Sequence, residues 1–222
     1  MYHFNFTPVF DNFDLLLYGA WLTVRLSFVA MVLGLVVSVL GAVARTSRYK
    51  VLRGLVGAYV EIIRNTPFLI QIFFLFFGLP AVGIALNPNV AALVALVINV
   101  GAYGTEITRA GIESVPHGQI EAGRALGLEP VQIFRYVVLK PALRNVYPAM
   151  TSQFIYLMLT SSVVSTISAN DLASAGADLN AKTFASFEIY LVITAMYLVL
   201  SLLFSGLFRL VQHTLFNYPA SR

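Results

Sequence analysis

The sequence predicts an all-α integral membrane protein, a single domain over residues 1–222 with about five transmembrane helices. Three observations carry that prediction. Of the 222 residues, 59% are hydrophobic and 11% charged, with a mean hydropathy of +0.81, against about 45–50% apolar in a soluble domain. Five stretches approach the roughly 20 apolar residues that a helix needs to cross a bilayer. The cations gather on one side of those stretches, as membrane topology demands. The +4 net charge comes from 14 Lys and Arg that mostly flank apolar runs, which is a topological pattern and not a nucleic-acid face. Cysteine is absent, so disulfides and thiolate metal sites are excluded.

The first apolar stretch, Leu15 to Ala44, is broken only by Arg25. An amphipathic segment from Tyr49 to Asn65 leads into the second, Pro67 to Leu86. Val90 to Ile107, Tyr147 to Ile167 and Ile189 to Leu210 follow. An odd number of spans puts the two termini on opposite sides. If the first span runs inward, the inner segments hold Arg45, Arg48, Lys50, Arg53, Arg109, Arg124, Arg135, Lys140, Arg144, Arg209 and Arg222, and the outer segments hold Lys182 alone. That asymmetry puts the amino terminus outside and the carboxyl terminus inside. The first apolar run is too long for a signal-peptide core and has no basic segment before it, so no cleavable signal is expected.

The inner loop at about 108–146 is too polar for lipid and too rich in helix formers for a linker. Small residues at Ala122, Gly123, Ala125 and Gly127 leave one face of a short helix bare enough for another protein's backbone to approach. Gly127 is suited to end that helix, and Pro130 to begin the next. Two short helices around a Gly turn form a cytoplasmic docking knob.

This loop resembles the signature of bacterial ABC importer permeases, in particular the polar amino acid branch. That signature is Glu-Ala-Ala, three residues, Gly, nine residues, Ile, one residue, Leu-Pro. Glu121, Ala122, Gly123 and Gly127 fall at those spacings, followed by Val137 and Leu139. Gly123 replaces the second Ala, and Lys140 stands where the family has Pro, with Pro141 one place later. Tyr59 to Pro80 and Tyr103 to Val115 extend the likeness, which runs from about Gly19 to Leu210.

The resemblance implies a type I ABC importer permease fold in a bacterial inner membrane, with a coupling helix within Glu121 to Tyr136. Glu121, Ala122, Gly123, Ala125, Leu126, Gly127 and Pro130 would dock into an ATPase subunit dimer. It also implies a second permease subunit, identical or homologous, and a periplasmic solute-binding protein. No cofactor is expected on this chain; ATP and Mg²⁺ belong to the partner ATPase. A P-loop needs a glycine-rich turn ending in Lys, whereas none of Lys50, Lys140 and Lys182 follows a glycine. His3, His117 and His213 are scattered over both sides, so no zinc ligand set is expected, and no catalytic residue either.

Polar residues inside spans are candidates for function. Arg25 lies ten residues into the first apolar run, where it has either a function or a side chain that snorkels to the outer interface. Thr66 reads as an N-cap with Pro67 at the first helical position, so the second span is broken there. The break either turns N–H groups toward an anion at membrane depth or marks the start of the span after an inner-surface helix, with Glu61 and Arg64 as an ion pair. Family likeness puts the cargo path past Arg64, Asn65, Thr66 and Gln71, past Tyr103 and Glu106 on the third span, and past Gln153, Thr160, Ser161, Ser162 and Ser165 on the fourth. Where the family carries Lys and then an acid or Asn before Thr-Ser, this chain has Leu159 and Thr160. The missing acid favours a zwitterionic or acidic amino acid over a cationic one. The rival readings are a secondary transporter, which would show a second interrupted span in a matching half, and a channel-like or structural anchor, which has no need of the knob.

Overall fold

The computed structural model describes residues 4–215, so His3 and Arg222 lie outside the described residues. Every regular element within them is helical: α1 (Thr7–Asp11), α2 (Phe13–Arg45), α3 (Lys50–Arg64), α4 (Phe68–Phe73), α5 (Pro88–Glu113), α6 (His117–Ala125), α7 (Pro130–Gln132), α8 (Leu139–Thr160), α9 (Leu172–Thr183) and α10 (Ser186–Leu215). Helices α2, α5 and α10 are each long and apolar enough to cross a membrane. The pair of Lys50–Arg64 and Phe68–Val82 makes a fourth crossing if its 109° bend is counted as one span. The stretch Tyr147 to Ile167, expected as a crossing, is the second half of α8 and the 3₁₀ turn Ser161–Ile167, and α8 is not among the helices that are long and apolar enough to cross.

Helix α5 is the axis of the bundle, packed by α2, α3 and α8. The α2–α5 contact is made by small residues, because lipid supplies no hydrophobic drive for two apolar helices to associate and close packing must do so. Gly34, Ser38, Gly41 and Ala42 of α2 are buried against Val100, Gly101, Gly104 and Thr105 of α5. A Cβ on Gly34 would lie 2.5 Å from Val100 Cγ1, and one on Gly101 would lie 2.6 Å from Val37 Cγ1. The Ser38 hydroxyl donates to the Gly34 carbonyl at 2.6 Å and approaches the Val100 carbonyl at 3.2 Å, so a polar group is satisfied across the contact.

Two stretches widen to π-helical geometry, Phe74–Gly78 and Ile133–Val138. Each precedes a proline, Pro80 or Pro141, whose ring and missing N–H disturb the hydrogen bonding of the preceding turn. At the end of the bundle opposite α6, α9 packs on α2 and α10 around Leu16, Ala20, Leu172, Leu179, Ile189 and Ile193.

Candidate functional site

Two features are named from the sequence, the knob and the broken span. In the knob, α6 ends in a full Schellman motif: Leu128 N–H donates to Gly123 O at 3.1 Å and Gly127 N–H to Arg124 O at 2.9 Å. Gly127 sits at φ +74°, a conformation that costs glycine little and any side chain more. Glu129 then caps α7 reciprocally with Gln132, with Pro130 in the first turn. The knob stands on its own small core of Val115, Ile133, Val138 and Ala142.

Two details differ from expectation. The second knob helix is not short: from Pro130 it continues through the π-widened turn into α8 and up to Ile167. Polar residues at Lys140, Arg144 and Asn145 interrupt the apolar run there without interrupting the helix. The small residues also do not share one face. Gly123 is buried, where a Cβ would lie 3.3 Å from Ile133 Cγ1, while Ala122 and Ala125 are exposed. What the knob presents outward is apolar bulk, with Leu126 80%, Val131 75% and Tyr136 67% exposed. A groove of about 420 Å³ runs between Ala122, Leu126, Leu128, Tyr136 and Lys140.

At the broken span, Thr66 is not the N-cap. Pro67 occupies that position, extended at ψ 137°, and the Thr66 hydroxyl donates back to Ile62 O at 2.8 Å. Gln71 closes the corner. Its amide nitrogen donates to Ile63 O at 2.8 Å, and to Thr66 O and Oγ1 at 3.0 Å each. Its amide oxygen accepts from Asn99 of α5 at 3.2 Å, tying the bend to the bundle axis. Asn65 donates to the Glu61 carboxylate at 3.0 Å, and Arg64 lies over the Tyr103 ring at 5.5 Å rather than pairing with Glu61.

The remaining path candidates are dispersed. Glu106 is engaged at the knob end of α5, 2.7 Å from Arg109 and 3.4 Å from Arg45 of α2, and Arg109 also meets Glu113 at 2.5 Å. The hydroxyls of Ser161, Ser162 and Ser165 donate to the carbonyls of Met158, Leu159 and Ser162 within their own helix, which supports a tight turn. Thr160 is half-buried at the start of that turn. Gln153 is buried with its amide nitrogen unpaired. Among the described residues no three His, Cys, Asp or Glu side chains gather as a metal-holding group.

Sequence reasoning passed over two constellations. One is the Arg45–Glu106–Arg109–Glu113 chain, whose three α5 members at spacings of three and four were visible as a helix-face pattern. The other is the buried Asp171, which caps α9 by accepting from Ser174 N at 2.7 Å and receives the Tyr197 hydroxyl at 3.2 Å. Burial pushes its carboxyl up to about 6.

A model of the family described as the binding-protein-dependent transport system inner membrane component matches residues 22–217. The chain belongs to that family. The permease is 36% identical over 198 residues to the probable glutamine ABC transporter permease protein GlnM of Bacillus subtilis (strain 168), covering 89% of this chain and 92% of that protein. To the glutamine transport system permease protein GlnP of Escherichia coli (strain K12) it is 33% identical over 211 residues, 94% of this chain and 96% of that one. Its fold matches a chain of the amino acid ABC transporter solved with histidines at TM-score 0.92 and 34% identity, over 96% of the permease and 100% of that chain. It also matches the inward-facing MetNI methionine ABC transporter at TM-score 0.76 and 26% identity, over 92% of the permease and 98% of that chain. The architecture is that of the ABC importer permeases, and the chain is a multi-pass membrane protein.

Proposed function

We propose that this permease is the translocation subunit of an ATP-driven importer for a polar, zwitterionic or acidic amino acid. It receives cargo from a binding protein at its outer face and is driven by a dimer of separate ATPase subunits that hold ATP and Mg²⁺. A second permease, identical or homologous, completes the passage. The amino terminus lies outside, and the α6 knob faces the cytoplasm.

One observation carries the coupling role: the knob stands at the root of a helix that continues from Pro130 to Ile167 without a break. Helices transmit displacement along their axes because their backbone hydrogen bonds run along that axis. A push on Ala122, Ala125, Leu126 and Gly127 from an ATPase cleft therefore reaches the residues beside Asn99 and Gln71. Glu121, Gly123 and Pro130 shape the knob. The cargo class rests on relatives named for glutamine and on the absence of an acid at Leu159 and Thr160.

Co-expression with the ATPase subunit tests coupling. Glu121→Lys and Gly127→Asp are each expected to separate the two proteins on affinity purification while the permease still reaches the membrane. Retained association in both variants overturns the docking role. Uptake into proteoliposomes tests the cargo: glutamine should compete strongly, and a preference for arginine or lysine removes the zwitterionic assignment.

A further inference from the structure

At the end of the bundle opposite the knob, α2, the start of α5 and Asn170 line a groove of about 420 Å³. Its polar members are Arg25, Asn89 and Asn170, and Tyr18 stands at its edge. Its floor is Leu22, Leu26, Val29 and Leu93. Asn89 belongs to the first turn of α5, and its side-chain oxygen accepts from Asn170 N at 2.8 Å, so the rim is braced across the two connections.

Arg25 shares this groove with the first turn of α5 and the entry to α9, level with the end of the α5 helix and not with its middle. Trp21 and Tyr18, 60% and 61% exposed, stand one turn or two before it, and such aromatic residues concentrate at headgroup level. Among the described residues no carboxylate lines the groove, so none of them gives the cation a counter-ion there. Helix α5 adds the positive end of its dipole beside Asn89. The groove therefore combines a cation, amide donors and a helix N-terminus above a strip of leucine and valine, and the strip is directed along the apolar part of α2.

We propose that this groove binds an anionic phospholipid. The phosphate is held by Arg25 with the amides of Asn89 and Asn170, and one acyl chain lies along Leu22, Leu26, Val29 and Leu93. A free amino acid carboxylate or inorganic phosphate offers the same charge without a chain to cover that floor, and the charge–tail combination singles out lipid.

The test is lipid titration of the full-length permease, purified with its ATPase partner, by native mass spectrometry with phosphatidylglycerol and phosphatidylcholine of equal chain length. Phosphatidylglycerol is expected to bind preferentially, and Arg25→Gln to reduce that preference about five-fold, the ratio that one cation contributes beside an anionic surface. Asn170→Asp, an exposed position, places a carboxylate beside Arg25 and is expected to give a similar loss without disturbing the fold, as checked by an unchanged melting temperature. Arg53→Gln on exposed α3 should leave the preference intact. Millimolar inorganic phosphate should not displace the lipid. Undiminished preference in Arg25→Gln and Asn170→Asp overturns the proposal. So does displacement by phosphate or by glutamine alone, or a groove that takes up no lipid because a second permease fills it.

Discussion

Helices α2 and α10, 33 and 30 residues long, are both apolar enough to cross a bilayer. Yet 39% of the apolar window of α2 is buried in this chain against 6% of that of α10. Side-chain size separates them. Helix α2 turns Gly34, Ser38, Gly41 and Ala42 toward α5 and keeps Val36, Val39, Leu40 and Val43 outward. Helix α10 carries its leucines, Leu198, Leu202, Leu203 and Leu207, on the exposed side, and is held by Tyr147 donating to Phe208 O at 3.0 Å and by the Phe154, Phe204 and Phe208 rings. Hydropathy says that a helix enters the membrane. Small residues at helical spacing say where it meets another helix.

The sharpest way to break this contrast is to enlarge one glycine on each side of it. Gly104→Val on α5 drives its side chain into Ser38, where even the added Cβ would lie 2.8 Å from Ser38 Cβ. Overpacking of this kind costs about 1–3 kcal/mol, or more where backbones must part, so a large drop in melting temperature in detergent is expected. An added Cβ at Gly206 of α10 meets nothing within 4 Å, and Gly206→Val should leave the melting temperature unchanged. Equal losses in the two variants would contradict the assignment of α5 as the axis.

A second test removes the charge that joins α2 to α5. Glu106→Gln leaves Arg45 and Arg109 facing each other without a shared carboxylate. Removing one partner of a buried pair costs about 3–5 kcal/mol. Because Arg45 and Arg109 are 26% and 29% exposed at the side chain, solvent screening lowers the expected cost here to about 2 kcal/mol. Glu106→Gln with Arg45→Gln should recover part of that loss, and a double-mutant cycle with no coupling would discard the pair.

The apolar stretches were legible to within a few residues, because run length is a local property: Leu15 to Ala44 was expected and α2 spans Phe13–Arg45. The end of α6 was legible for the same reason, since Gly127 and Pro130 act within one turn. The continuity of α7 into α8 was not, because Lys140, Arg144 and Asn145 lower hydropathy without breaking a helix. Nor was the role of Gln71, whose partners at Ile63, Thr66 and Asn99 come together only once the chain has bent by 109°. Asp171 depends on α10 in the same non-local way.

Asp171 supplies a pH test of the α2 side of the molecule, because α9 packs there. Its carboxyl is raised from 3.8 to about 6 by burial. A group whose folded-state value lies above its unfolded one holds its proton more tightly in the native state, so it contributes stability that is fully present below 3.8 and lost as pH rises through about 6. The melting temperature of the permease should fall across that window by more than in Asp171→Asn, which can still accept from Ser174 N. A slope unchanged by the substitution would assign the pH dependence to another group.

The smallest expected effect sharpens the comparison most. Ser38 and Ser201 each donate to a carbonyl of their own helix, Ser38 to Gly34 at 2.6 Å and Ser201 to Leu198 at 2.9 Å, so a local hydrogen bond alone does not distinguish α2 from α10. Ser38 is fully buried and also reaches Val100 O across the helix contact, whereas the Ser201 bond is exposed. Interhelical hydrogen bonds in membranes average about 0.6 kcal/mol, so Ser38→Ala should lower stability by about that amount while Ser201→Ala leaves it unchanged. Losses of the same size at both positions would show that the α2–α5 contact is held by shape alone. The small residues of α2 would then matter for how closely two backbones approach, and not for the polar group they shelter.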